Sequence, residues 1–126
     1  MRRFINKIID RIQRKRAIKN HRKMWHWLAE NPGKSKIEFL LEHDSSNRVL
    51  FNGCYLCDYA TRAKQRAGGG MFCKYCPLDW GAMSCCNGTH LLYDKWQAER
   101  LKLNPNKQRI AELALQIAEL PEKVEK

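Results

Sequence analysis

The chain has 126 residues, 44% of them hydrophobic, and a formal net charge of +11. That is room for one domain, or for a small core with an appended arm, and a modest core of this size often relies on a staple such as a metal. No run approaches the ~18 apolar residues that cross a bilayer, and Asn6, Lys7, Asp10 and Arg11 interrupt any signal-peptide block.

The charge is unevenly placed. Residues 1–23 hold ten Lys or Arg against Asp10 alone, whereas residues 24–126 hold fourteen basic against twelve acidic residues. Two units are therefore expected: a basic N-terminal helical arm over 1–23, and a metal-stabilised helical domain over 24–126. Within the arm, Phe4, Ile5, Ile8, Ile9 and Ile12 recur at helical spacing, so one face is apolar. Lys15, Arg16 and Lys19 continue that face, which makes it either solvated or laid on something negative. Apolar residues return at Met24, Trp25, Trp27 and Leu28, which are expected to reach the core.

Asn31-Pro32-Gly33 ends this helix. Ser35 and Glu38 have capping-box spacing, which predicts a short helix from about Lys36 to His43. Residues 44–53 read as a loop, with a short extended piece at Arg48–Phe51. Farther on, Leu92, Tyr93, Trp96 and Leu103 mark one face of another helix. Asn104-Pro105 should end it and start the next, with Asn104 as N-cap and Pro105 at the first helical position. In that last helix Ile110, Leu113, Ile117 and Leu120 form the apolar face, and Pro121 stops it. Trp80, Tyr93 and Trp96 should pack beside the cysteines, with Trp25, Leu28, Ile110, Leu113 and Ile117 around them. The expected fold class is mostly α: a small helical domain around two Cys-x-x-Cys pairs, with a basic N-terminal helix.

The chemistry lies in CYLC and CKYC. A metal knuckle needs two thiolates close together on one tight turn, and Cys-x-x-Cys provides them. Cys54, Cys57, Cys73 and Cys76 form two such pairs fifteen residues apart, the tetrahedral sulfur set that Zn²⁺ favours. Gly53, Pro77 and Gly68-Gly69-Gly70 suit backbone that bends around a site. A redox dithiol needs only one pair, and iron–sulfur clusters use other spacings. A three-disulfide scaffold is the remaining alternative. Cys85 and Cys86 read as one buried and one exposed thiol, or one of them or His90 joins the ligand set. His21, His26 and His43 lack ligand spacing and suit packing or the surface.

The order WxWxAxNPxxSKxxFL, NGCYLCDYA, CKYCPLDWG and CC, followed by a helix with Tyr93 and Trp96, resembles small uncharacterised zinc-knuckle proteins encoded by tailed phages and prophages of Gram-positive bacteria. The likeness covers roughly Met24 to Leu120, and its most specific part is the Cys pairs with Pro-Leu-x-Trp. It implies a zinc-binding phage accessory protein in the cytoplasm of an infected bacterial host. It implies no reaction, and it gives the basic arm no support.

A closed four-sulfur zinc site cannot activate water. A His-Asn-His nuclease built between the knuckles would need histidines there, and DYATRAKQRAGGGMF has none. The three glycines lack the Lys-Ser/Thr of a phosphate loop. Sequence thus predicts a non-enzymatic protein with no small-molecule substrate. Arg11, Arg14, Lys15, Arg16, Lys19, Arg22 and Lys23 are the candidate nucleic-acid-binding residues, for DNA or RNA. Arg62, Lys64 and Arg66 are possible additions. A solvated basic helix with no ligand, a membrane-surface helix and a dimer or partner contact through the isoleucines are other readings of the arm. The alternative function is an inhibitor or modulator that docks on a host or defence enzyme.

Overall fold

The structure is a computed structural model, and it describes residues 2–43, 54–68, 75–80 and 92–123. These residues are mostly helical, in α1 (Arg2–Glu30), α2 (Lys36–His43), α3 (Tyr55–Arg66), α4 (Leu92–Arg100) and α5 (Lys107–Ala118). The expected loop over 44–53, with its extended piece, lies outside them, as do Cys73, Cys85, Cys86 and His90.

Helix α1 runs unbroken across the expected boundary at Lys23, and it buries Ala17, Ile18 and His21 before that point. Met24, Trp25 and Leu28 continue the same buried side, because these positions return to one face at 3.6 residues per turn. The helix stops at Asn31, whose side-chain amide donates to the Trp27 carbonyl at 2.8 Å. In α2, Ser35 Oγ accepts the Glu38 amide at 3.3 Å, as the capping spacing predicts, and Phe39 and Leu40 turn into the core.

Helix α3 occupies the first part of the interval between the Cys pairs, an interval read from sequence only as a loop or helical turn. Tyr55, Leu56, Tyr59, Ala60 and Ala63 form its buried face. Asp58 sits in its first turn and Lys64 and Arg66 in its last, which suits the helix dipole. Gly68, at φ 82, takes the left-handed conformation that ends it at no steric cost.

Two expectations near the C-terminus are corrected. Helix α4 ends at Arg100, so Leu103 falls beyond it and is 100% exposed. The N-cap of α5 is Asn106, not Asn104, and the helix begins at Lys107. Asn106 Oδ1 accepts the Arg109 amide at 3.1 Å, while the Asn106 amide donates to Glu99 Oε2 at 3.2 Å. That second bond ties the end of α4 to the start of α5. It also holds the Glu99 carboxyl below its ordinary range, with the Lys102 ammonium assisting.

The core forms where α1 packs on α5, α3 and α2, and α4 packs on α5. The expected set assembles: Trp25 and Trp96 meet edge-to-face at 4.7 Å, among Leu28, Trp80, Ile110, Leu113 and Ile117. Tyr93 is half-buried against the cluster. After Pro121 the chain returns to Pro77–Asp79, forming an isolated antiparallel bridge between Leu78 and Glu122.

Candidate metal centre and basic helix face

The two thiols of CYLC open helix α3. Cys54 is its N-cap, with extended backbone at φ −153 and ψ 114, and its Sγ accepts the Cys57 amide at 3.2 Å. A helix N-terminus has unpaired amides and a positive dipole end, so it favours sulfur in its thiolate form. The Thr61 hydroxyl donates to the Cys57 carbonyl at 2.8 Å and fixes the turn that carries the second thiol.

Cys76 lies on a separate described segment, 75–80. It precedes buried Pro77 and Leu78, and that segment is held by the tail: Asp79 N–H donates to Pro121 O at 2.9 Å and Lys123 N–H to Pro77 O at 2.8 Å. Cys54 and Cys76 both pack against the hydrophobic core. Burial pushes the Cys76 thiol up, and the Leu78 amide opposes this by favouring the thiolate. The Trp80 indole acts in the same sense without completing a hydrogen bond, and its Nε1 is buried and unpaired among the described residues. The Cys54 thiol adds to the rise.

None of Cys54, Cys57 and Cys76 forms a disulfide with another described residue. The donor chemistry suits Zn²⁺: sulfur ligands, with one amide-to-sulfur bond within a Cys-x-x-Cys turn. Among the described residues, no three His, Cys, Asp or Glu side chains are grouped closely enough to hold an ion. The fourth expected ligand, Cys73, lies outside those residues.

The seven candidate cations of α1 divide into two sets. Arg14 and Arg22 turn inward. Arg14 bonds Glu122 Oε1 at 3.0 Å and the Lys123 carbonyl at 2.9 Å, while Arg22 reaches the Leu120 carbonyl at 3.4 Å. Arg11, Lys15, Arg16, Lys19 and Lys23 are exposed and make no ion pair among the described residues. On α3, Arg62 pairs with Asp58 at 2.7 Å, and Arg66 pairs with Asp10 at 2.7 Å. Lys64 is left half-exposed. An open groove of about 840 Å³ lies between α1 and α3 and reaches Tyr75 and Cys76, but its Arg14 and Arg66 are committed to these internal partners.

His21 is a structural feature that spacing alone did not reveal. It is buried between the Trp25 and Trp80 rings, 6.2 Å from each, and its Nε2–H donates to Ile117 O at 3.1 Å. Burial lowers its pKa from the ordinary 6.5 to about 4, against the pull of that carbonyl.

Comparison with family models, curated proteins and solved structures found no match.

Proposed function

We propose that the protein is a non-enzymatic, zinc-stabilised accessory protein of phage type that binds nucleic acid through the outward side of α1. The observation that carries the reading is the division of the α1 cations. Two are used to hold the fold together, while Arg11, Lys15, Arg16, Lys19 and Lys23 stay exposed within roughly 140° of the helix circumference, at 100° per residue. A row of cations that make no ion pair among the described residues, along one side of a helix, suits the regularly spaced phosphates of a nucleic acid. The zinc reading rests on the sulfur chemistry of Cys54, Cys57 and Cys76 and the spacing of Cys73.

Phosphate contacts position a protein without reading sequence, so binding should be sequence-tolerant. Five contacts give a slope of log affinity against log salt of about −4 to −5 on duplex DNA. A mobility-shift titration of the full chain tests this, with Lys15→Glu, Arg16→Glu and Lys19→Glu combined in one variant. These residues are exposed, so the variant should keep its fold and lose binding to all sequences alike. Equal and poor binding by both proteins would reject nucleic acid as the ligand. It would leave docking on a host protein as the better reading.

A further inference from the structure

The first half of α1 is attached to the molecule by its polar side. Tyr59 Oη donates to Asp10 Oδ1 at 2.7 Å, and Arg66 donates to Asp10 Oδ1 at 2.7 Å and to Gln13 Oε1 at 2.6 Å. An amphipathic helix on a globular core normally buries its apolar stripe. Here that stripe is left outside: Phe4 is 67% exposed, Ile5 49%, Ile8 42%, Ile9 38% and Ile12 51%. Beyond Ile12 the same side continues as Lys15, Arg16, Lys19 and Lys23, all exposed. One rigid surface therefore presents five large apolar side chains and then four cations. An occupant that covers the whole surface must accept both.

The geometry points to the surface of an anionic lipid bilayer as that occupant, with Phe4–Ile12 entering the acyl boundary and Lys15–Lys23 meeting the lipid phosphates. The charge pattern argues against a second copy. Asp10 is the sole acidic residue in positions 1–23, and it is bonded to Arg66, so pairing two α1 helices would bring like charges together. Area argues the same way: five half-exposed side chains offer on the order of 500 Å², short of the ~800 Å² per partner of a standard interface. A nucleic acid satisfies the cations but gives the isoleucines nothing to enter. No described helix is long and apolar enough to cross a membrane, so the contact lies in the interfacial plane. The two readings share Lys15, Arg16, Lys19 and Lys23, but only this one uses the isoleucines, so the isoleucine variants separate its failure from that of the nucleic-acid reading.

The test is sedimentation of the full chain with phosphatidylcholine vesicles, with and without 30% phosphatidylserine by design, beside Ile8→Glu/Ile12→Glu and the milder Ile8→Ser/Ile12→Ser. The full chain should bind the anionic vesicles and lose at least about tenfold in affinity when phosphatidylserine is omitted, since each cation near the surface contributes. Both isoleucine variants should lose about tenfold or more while keeping the melting temperature and the duplex affinity of the parent. No binding to anionic vesicles would overturn the proposal, as would binding that the isoleucine variants leave unchanged. Equal binding to uncharged vesicles would remove the role of the cations. A parent dimer that dissociates in both variants, with no vesicle binding, would make the stripe a contact between copies instead.

Discussion

Arg14 donates from Nη2 to the backbone carbonyl of Lys123 at 2.9 Å, a bond between residues 109 positions apart. The same guanidinium bonds Glu122 at 3.0 Å and approaches Pro77 O at 3.4 Å. One side chain thus fastens the first helix to both strands of the Leu78–Glu122 bridge, and so to the segment that carries Cys76. This explains why an arginine within a basic run is only 14% exposed.

Replacing Arg14 by Ala should therefore cost stability, while replacing its neighbour Lys15 by Ala should not. Hydrogen bonds from a charged donor contribute roughly 1.5–3 kcal/mol, and the Glu122 carboxylate, 47% exposed, adds little in screened solvent. A loss of about 2 kcal/mol is expected in urea unfolding of Arg14→Ala, against a change within about 0.5 kcal/mol for Lys15→Ala. Matching losses in the two variants would show that the clamp is not formed in solution.

Stability should also depend on pH through His21. Its folded pKa of about 4 lies below the ordinary 6.5, so the unfolded chain binds the proton first. The contribution is complete above pH 6.5, falls as pH drops through that range, and is lost by about pH 4. The full difference corresponds to about 3 kcal/mol. His21→Gln keeps a donor for Ile117 O and removes the titration. Its melting temperature should vary less than the parent's between pH 7 and pH 4.5. Parallel pH profiles would place a charged His21 in solvent.

Local signals were legible where one segment carries both signal and consequence. Asn31-Pro32-Gly33 ends α1, Ser35 caps α2, and Ile110, Leu113 and Ile117 give the buried face of α5. The helix between the Cys pairs was also readable, since Tyr55, Leu56, Tyr59, Ala60 and Ala63 have helical spacing. Asn106 shows a different limit: Asn104 and Asn106 have the same capping chemistry, and the choice depends on Glu99 seven residues earlier. The orientation of α1 had only a partial local signal, in Lys15, Arg16 and Lys19 continuing its apolar face. An apolar stripe predicts its own burial, and only the long-range bonds of Asp10 and Gln13 to α3 turn it outward. The same distance hides the pairing of residues 77–79 with 121–123.

The aromatic junction provides a contrast between two residues once assigned to one helix face. Trp96 is 1% exposed against Trp25, and Leu103 is 100% exposed. Trp96→Ala should cost roughly 3–5 kcal/mol, as other buried Trp truncations do. Leu103→Ala should be neutral within about 0.5 kcal/mol. Thermal unfolding of both variants decides it, and a neutral Trp96→Ala would remove α4 from the core.

The metal prediction joins α3 to the C-terminal tail. Purified protein should hold about one Zn²⁺ per chain, ligated by Cys54, Cys57, Cys73 and Cys76. Because Cys54 and Cys57 open α3 while Cys76 precedes the Pro77–Asp79 segment bonded to Pro121 and Lys123, an ion shared between them would link the two segments. Such a site exists only in the folded chain, so binding energy becomes folding energy. A strong chelator should lower the melting temperature and reduce helicity, and Cys57→Ser or Cys73→Ser should do both while losing zinc. Separate Cys85→Ser, Cys86→Ser and His90→Ala variants show whether any of these joins the set, since only a ligand changes the metal content. Elemental analysis that finds no zinc, or a coloured protein containing iron, would reject the site.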